Sequence, residues 1–297
     1  MNGHPFRRAT DFKNSRRFRK GIYILPSLAT TFNIAFGYYA LYQTFMGSAA
    51  EIWRYDNAAK AIGFAVLFDG IDGRIARMTN TTTEFGRELD SLADAITFGV
   101  APAVLAWIWG FRMFGNISGH DFLDRVVQIG GFVTFIFLVA GVSRLARFNI
   151  QANPKPWNPG KPGKKYFVGM PIPAGAGIVA ATVHLMRGDP IGSWGNIYVA
   201  IGWGVLVFCT ALLMVSTWRF PSFKDIDFRG RHPFRLVIII AAIVAGVWYW
   251  SDYTLFAIAM LYMLSGILNG MGFLFRGRRR KLREPSATAE ITEAESQ

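Results

Sequence analysis

The chain has 297 residues, of which 52% are hydrophobic and 17% are charged, whereas about 25% charged residues is usual in soluble domains. This composition argues against a disordered chain, a coiled coil or a nucleic-acid-binding domain, and it predicts a protein surrounded mostly by lipid. The net charge of +13 fits an anionic membrane better than nucleic acid, because the basic residues lie between apolar runs. The single cysteine, Cys209, excludes an internal disulfide and a cysteine-rich metal site.

The predicted elements are a series of helices. Residues 1–21 are basic and form either an interfacial helix on anionic headgroups or a simple solvated flank. Eight apolar runs follow, each long enough, or nearly so, to cross a hydrocarbon layer about 30 Å thick. They lie near 22–46, 57–77, 88–111, 126–148, 167–186, 196–217, 233–250 and 253–275. The tail, 277–297, is polar and predicted to be disordered. We therefore expect an all-α, polytopic membrane bundle.

The distribution of basic residues predicts the orientation of the bundle. If the amino terminus is cytoplasmic, 27 of the 32 Lys and Arg residues fall on the cytoplasmic side. Such a bias is the positive-inside pattern of membrane proteins. It predicts that both termini lie in the cytoplasm. The lack of an evident organelle-targeting segment favours a bacterial inner membrane.

Four aspartates interrupt the second and third apolar runs. Asp69 and Asp72 are three residues apart, and Asp90 and Asp94 are four apart, so each pair shares one helix face. A carboxylate at mid-membrane costs about 2.5–3.5 kcal/mol, which favours a functional site over mere packing. Two helices joined by a short turn would bring the four groups together. Their repulsion must be relieved by protons, basic side chains or divalent cations, and all-oxygen donors suit Mg²⁺, Mn²⁺ or Ca²⁺.

These aspartates belong to a longer pattern with fixed spacing. The pattern D-x-x-D-G-x-x-A-R-x8-G-x-x-x-D-x-x-x-D is met by Asp69, Asp72, Gly73, Ala76, Arg77, Gly86, Asp90 and Asp94. It resembles the signature of the CDP-alcohol phosphatidyltransferase family. The resemblance implies a membrane enzyme with a six-helix core, usually a homodimer. Such an enzyme transfers a phosphatidyl group from a CDP-linked lipid to an alcohol and releases cytidine monophosphate (CMP).

The resemblance also implies roles for individual residues. Asp69, Asp72 and Asp90 would coordinate one or two divalent ions, Mg²⁺ or Mn²⁺, and Asp94 would lie near the metals and act as the general base. The residues implied at the CDP-lipid site are Gly73, Arg77 and Gly86 of the signature and Thr31 and Asn33 of the first run.

A second cluster lies at the end of the fourth run. Arg144 and Arg147 are three residues apart, with Asn149 beyond them, and they could clamp a carboxylate or a phosphate or simply form a positive-inside flank. Downstream, Pro171 and Pro173 either line a cavity or begin the fifth helix.

Three further motifs bear on the acceptor alcohol. The stretches TFGVAPA at 97–103, RLARFN at 144–149 and GMPIPA at 169–174 resemble the branch of the family whose acceptor is serine. The implied substrates are CDP-diacylglycerol and L-serine, with Arg144, Arg147 and Asn149 at the serine site. The implied catalytic core is 22–220, and residues 221–276 would be two additional helices.

Two alternatives remain at this point. One is a related transferase that makes phosphatidylglycerophosphate or phosphatidylinositol phosphate, since those acceptors would also bind to arginines. The other is an ion-coupled transporter, because carboxylates within a membrane often mark ion pathways. A transporter would be expected to carry mid-membrane acids on broken helices and an inverted repeat. The sequence shows neither a repeat nor carboxylates within the later runs.

Overall fold

The computed structural model describes residues 29–79, 84–112, 121–152, 166–194, 196–221 and 233–281. At 71–79, 121–123, 151–152, 166, 193–194, 233–236 and 272–281, only the backbone is described. The proposed interfacial segment 1–21, and the tail beyond residue 281, lie outside the described residues. The predicted domain boundaries stay predictions.

Nine α-helices run through the described chain, one for each predicted run except the third, which yields two. They are α1 (29–46), α2 (Trp53–Thr79), α3 (Glu84–Asp94), α4 (Ala101–Gly110), α5 (Asp121–Ala152), α6 (Ile172–Leu185), α7 (Ile197–Val215), α8 (Pro233–Tyr249) and α9 (Ser251–Lys281). A π-helical segment, Ala95–Val100, joins α3 to α4, and a 3₁₀ turn, Ile191–Trp194, precedes α7. Helix dominates because lipid offers no partner for free backbone N–H and C=O groups. The prediction of an all-α membrane bundle is confirmed.

The length and hydropathy of the helices differ from one to the next. Within the described residues, four stretches are long and apolar enough to cross a membrane: Glu84–Gly110, Asp124–Ile150, Ile197–Val215 and Ser251–Met271. Ile172–Leu185 and Val237–Tyr249 are shorter apolar helices. Helix α2 is not among the four because charged residues at both of its ends dilute its apolar run. The described helices therefore differ in how fully they meet the length and hydropathy of a membrane span.

The core lies where α2, α4, α5, α6 and α7 meet. Helix α5 packs along α7, and α2 packs along α6. The largest buried side chains include Trp109, Phe98 and Phe137. Trp203 of α7 meets Trp109 edge-on at 5.1 Å between ring centroids and donates from Nε1 to the carbonyl oxygen of Ala106 at 3.1 Å. The outward faces are also apolar, as expected for helices that are solvated by lipid.

The two carboxyl-terminal helices form a hairpin. Helix α8 ends at Tyr249 and α9 begins at Ser251, and the two pack against each other. Helix α9 also packs against α6. Pro171 is the N-cap residue of α6 and Pro173 lies in its first turn, so these prolines begin the fifth helix of the prediction.

One element is not anticipated by the sequence. A two-stranded antiparallel ribbon joins β1 (Tyr166–Val168), before α6, to β2 (Arg219–Pro221), after α7. Phe167 stands opposite Phe220 in this ribbon. Helix α9 packs against β2 as well, so the ribbon links the additional hairpin to the core.

Candidate active site

Three carboxylates converge between α2 and α3. Asp69 lies ten residues before the end of α2, and Asp90 and Asp94 lie one turn apart on α3. One oxygen from each of the three carboxylates lies within 4.8 Å of the others, and all three residues are half-buried. The structure thus brings together three of the four aspartates that the spacing singles out. The side chain of the fourth, Asp72, is not described, although its backbone lies in α2 one turn beyond Asp69.

The chemistry of this donor set fits hard divalent cations. Two unit charges 4.8 Å apart repel by about 3 kcal/mol at an effective dielectric constant of about 20, so the cluster needs a counter-charge. All of the converging donors are oxygens, the ligand type that Mg²⁺ and Mn²⁺ prefer. The amide Oδ1 of Asn33 beside them is buried and accepts no hydrogen bond from any described residue. The residues present therefore fit the metal site that the sequence suggests.

Asn33 of α1 holds one of the three carboxylates. Its Nδ2 donates to Oδ1 of Asp94 at 3.2 Å, and its side chain is only 1% exposed. Its carbonyl oxygen accepts a hydrogen bond of 2.9 Å from the hydroxyl of Thr97. Asn33 is therefore fixed from two sides and orients Asp94.

The π-helical segment brings α1 close to the site. Thr97 and Phe98 of this segment are buried, and the segment begins directly after Asp94. A Cβ added at Gly37 of α1 would collide with the side chain of Thr97, so glycine permits this close approach. π-Helical turns often occur at functional sites, because the extra residue re-aims the side chains around it.

The residues predicted at the CDP-lipid site lie on α1, α2 and α3, the helices that carry Asn33 and the carboxylates. Gly73 and Arg77 lie in α2 beyond Asp69, and their side chains are outside the described set. Gly86 of α3 is half-buried one turn before Asp90, and Thr31 is exposed on α1. Asn33 is buried against Asp94. Its contacts are those of a residue that positions Asp94.

Arg144 is a buried cation near the carboxylates. Its side chain is 7% exposed, and its guanidinium lies over the rings of Phe148 and Phe167, at 5.4 and 5.8 Å from their centroids. Its charge interacts with that of Asp94. No carboxylate of the described residues lies within ion-pairing distance of it. A buried charge without a close partner is costly, so this position suits an anionic group of a ligand.

The other two residues of the cluster bind within the protein. Arg147 donates from Nη1 to the carbonyl oxygen of Val215 at 3.3 Å, which caps the end of α7. Asn149 donates from Nδ2 to the hydroxyl of Ser91 at 2.7 Å. Ser91 lies between Asp90 and Asp94, so Asn149 ties α5 to the helix that carries those carboxylates.

Sequence reasoning missed two contributors to the site. The contact of Asn149 with Ser91 joins residues 58 positions apart, and no local pattern signals it. Tyr262 of α9 has a phenol that interacts with the charge of Arg144. The signal available in the sequence was a tyrosine near the middle of the apolar run 253–275.

The chain matches a known family model. Residues 23–215 match the model described as CDP-alcohol phosphatidyltransferase. The match includes α1 to α7, the carboxylates and Arg144, and it ends just before β2.

Several curated proteins are similar to the chain along much of their length. A CDP-diacylglycerol–serine O-phosphatidyltransferase of Helicobacter pylori is 31% identical over 254 residues, which is 83% of this chain and 91% of the relative. A protein of the same name from Methanocaldococcus jannaschii is 31% identical over 57% of this chain and 66% of the relative. A third, from Mycobacterium bovis, is 28% identical over 83% of this chain and 79% of the relative.

Proposed function

The chain belongs to the CDP-alcohol phosphatidyltransferase family, and we propose that it transfers the phosphatidyl group of CDP-diacylglycerol to the hydroxyl of L-serine. The products are phosphatidylserine and CMP. The similarity to proteins named for this reaction, over most of their length, supports the choice of serine.

One observation carries the proposal. The side chain of Arg144 is buried, and it lies close enough to Asp94 for their opposite charges to attract each other. Serine has an anionic carboxylate at one end and the reacting hydroxyl at the other. Arg144 suits the carboxylate because a charge-assisted hydrogen bond would relieve its burial. Asp94 suits the hydroxyl because a carboxylate can take the proton that the hydroxyl must lose.

The proposed reaction is a single displacement at phosphorus. The serine oxygen forms a bond to the phosphorus that carries the diacylglycerol, while the bond from this phosphorus to the oxygen of CMP breaks. The hydroxyl proton passes to Asp94, and Asn33 holds that carboxylate in place through its 3.2 Å hydrogen bond. Such positioning lowers the barrier because the reacting groups are already oriented when they meet.

The acidic residues hold the metal in this proposal. Asp69, Asp72 and Asp90 would coordinate one or two ions, Mg²⁺ or Mn²⁺, with Asp94 beside them. When bound, these ions would neutralise the pyrophosphate and the charge that develops on the departing phosphate of CMP. The space for the nucleotide and its phosphates would be lined by Gly73, Arg77, Gly86 and Thr31.

The membrane arrangement is also a proposal. We place the carboxylates and both termini on the cytoplasmic side of a bacterial inner membrane, because 27 of the 32 basic residues fall on that side. Serine would enter from the cytoplasm, and the CDP-lipid would enter laterally from the bilayer. We expect a homodimer, as the family resemblance implies. Size-exclusion chromatography with light scattering would test this assembly state.

The experiment that tests the function uses purified protein with CDP-diacylglycerol and Mn²⁺. We expect CMP release with L-serine, with formation of phosphatidylserine, and little release with glycerol 3-phosphate, inositol phosphate or no alcohol. Release with a phosphate-bearing alcohol instead would assign the chain to another branch of the family. No release with any alcohol would contradict the transferase reading, and cation flux into proteoliposomes would then test the transporter alternative.

A further inference from the structure

Some of the side chains around Arg144 come from residues outside the matched family region. Phe167 of β1 lies under the guanidinium of Arg144 and pairs across the ribbon with Phe220 of β2. Phe220 is fully buried, and its ring lies 5.7 Å from the ring of Tyr262 on α9. Aromatic side chains of the ribbon and of α9 therefore lie between Arg144 and the rest of the additional hairpin.

Helix α9 is shaped for a close approach to this ribbon. A Cβ added at Gly266 would collide with the ring of Phe220, and one added at Gly270 would collide with Trp218. The two glycines are one turn apart, so a smooth face of α9 lies against the ribbon. Tyr262 is one turn before Gly266 on the same face. Its position is therefore set by close packing along α9.

The hydroxyl of Tyr262 faces the ribbon whose other strand contacts Arg144 through Phe167. It donates to the carbonyl oxygen of Pro221 over 3.5 Å, which is the long limit for a hydrogen bond. The phenol interacts with the charge of Arg144, and Arg144 interacts with Asp94.

We infer that Tyr262 is an acceptor-specificity residue, whose hydroxyl donates a hydrogen bond to the carboxylate that Arg144 binds. The inference rests on the proposed serine transferase activity and adds a residue from the additional hairpin to the acceptor pocket. A cationic guanidinium and a neutral phenol offer hydrogen-bond donors and no negative charge, a combination that suits a carboxylate. On this account α9 completes the pocket and sets which alcohol is accepted.

The test compares Tyr262→Phe with wild type, using L-serine and serinamide, which keeps the hydroxyl but lacks the carboxylate. Loss of one hydrogen bond to a carboxylate should raise the KM for serine about ten- to a hundredfold. The kcat, the KM for CDP-diacylglycerol and the KM for serinamide should stay within about twofold of wild type. The matched control is Tyr253→Phe, on the same helix and 63% exposed, which should leave all of these constants unchanged.

The possible outcomes separate this inference from the proposed function. If wild type does not use serine, the proposed function fails and the inference fails with it. If wild type uses serine but Tyr262→Phe keeps the wild-type KM for serine, only the inference is overturned. A parallel change in the KM values for serine, serinamide and the CDP-lipid would show a merely structural role and would also overturn it.

Discussion

We expect the site to need each of the single charges in the carboxylate cluster. Asp69 and Asp90 contribute oxygen donors that the fold already holds close together. Replacing an aspartate by asparagine keeps the size of the side chain and removes the charge, so the fold should persist while cation binding is lost.

We predict that Asp69→Asn and Asp90→Asn each lower CMP release at least about a hundredfold, because one lost charged contact costs several kcal/mol where charge is being neutralised. Both variants should remain folded in detergent and should bind Mn²⁺ more weakly in a calorimetric titration. Asp124→Asn, at the exposed start of α5, is the control and should behave as wild type. Near-normal activity in either site variant would show that the replaced aspartate is not a metal ligand.

The two arginines that the sequence groups together are predicted to differ. Arg144→Ala removes a charge-assisted contact worth about 1.5–3 kcal/mol, so the KM for serine should rise about ten- to a hundredfold while the KM for CDP-diacylglycerol changes little. Arg147→Ala should mainly loosen the end of α7, where Arg147 caps a backbone carbonyl. Steady-state kinetics that vary each substrate in turn would separate the two. An unchanged KM for serine in Arg144→Ala would show that Arg144 does not bind serine and that the acceptor pocket lies elsewhere.

Some of these residues could be assigned from the sequence and others could not. The spacing of Asp69, Asp90 and Asp94 places them on facing helix surfaces, because helical periodicity is local information. Asn33 is 61 residues from its partner Asp94, so their hydrogen bond depends on how α1 packs. The sequence likewise groups Arg147 with Arg144, yet only packing shows that its guanidinium reaches the end of α7.

At the level of elements, a polar link joins three helices far from the carboxylates. With a proton on Nδ1, His184 of α6 donates to Asp56 of α2 over 2.5 Å, and the hydroxyl of Ser251 on α9 donates to Nε2 over 3.0 Å. Lys60 lies 2.6 Å from the other oxygen of Asp56. The link fastens the carboxyl-terminal hairpin to the core.

We predict that His184→Leu lowers the free energy of unfolding by about 1–2 kcal/mol, the scale of polar contacts between helices in membranes. It removes both contacts at once and leaves Asp56 with Lys60 alone. The midpoint of thermal unfolding in detergent should fall, while the KM values of the folded enzyme stay the same. If His184→Leu unfolds at the same midpoint as wild type, this link does not contribute to stability.

The elements themselves were largely predictable, with one instructive exception. Apolar runs of helical length predict the helices well, because lipid forces the backbone to satisfy its own hydrogen bonds. The ribbon of β1 and β2 escaped prediction because its strands have three residues each and lie 50 residues apart. The π-helical segment is equally invisible in sequence, since it adds no distinctive residue pattern.

The carboxylate cluster and the His184 link lie toward opposite ends of the bundle. Asp56 and Asp69 both lie on α2, 13 residues and therefore about 20 Å apart along the helix axis. In the proposed orientation, the carboxylates would lie near the cytoplasmic surface and the His184 link near the opposite one. The connection between α8 and α9 should also face away from the cytoplasm.

The test introduces one cysteine as Trp250→Cys in a Cys209→Ser background. We predict that this cysteine reacts with a membrane-impermeant maleimide added to bacterial cells that have lost the outer membrane but keep an intact inner membrane. Trp250 is 64% exposed and joins the last two helices. A cysteine introduced as Gln297→Cys should react only after the membrane is permeabilised. The reverse pattern of labelling would invert the proposed orientation.

The most direct test of the central claim follows the oxygen of serine through the reaction. Purified protein is incubated with CDP-diacylglycerol, Mn²⁺ and L-serine that carries ¹⁸O in its hydroxyl. The masses of the products are then measured by mass spectrometry. The account predicts one ¹⁸O in each new phosphatidylserine and none in CMP, with no labelled lipid from Asp69→Asn. Unlabelled lipid, or phosphatidic acid in place of phosphatidylserine, would contradict attack by the serine hydroxyl at this site.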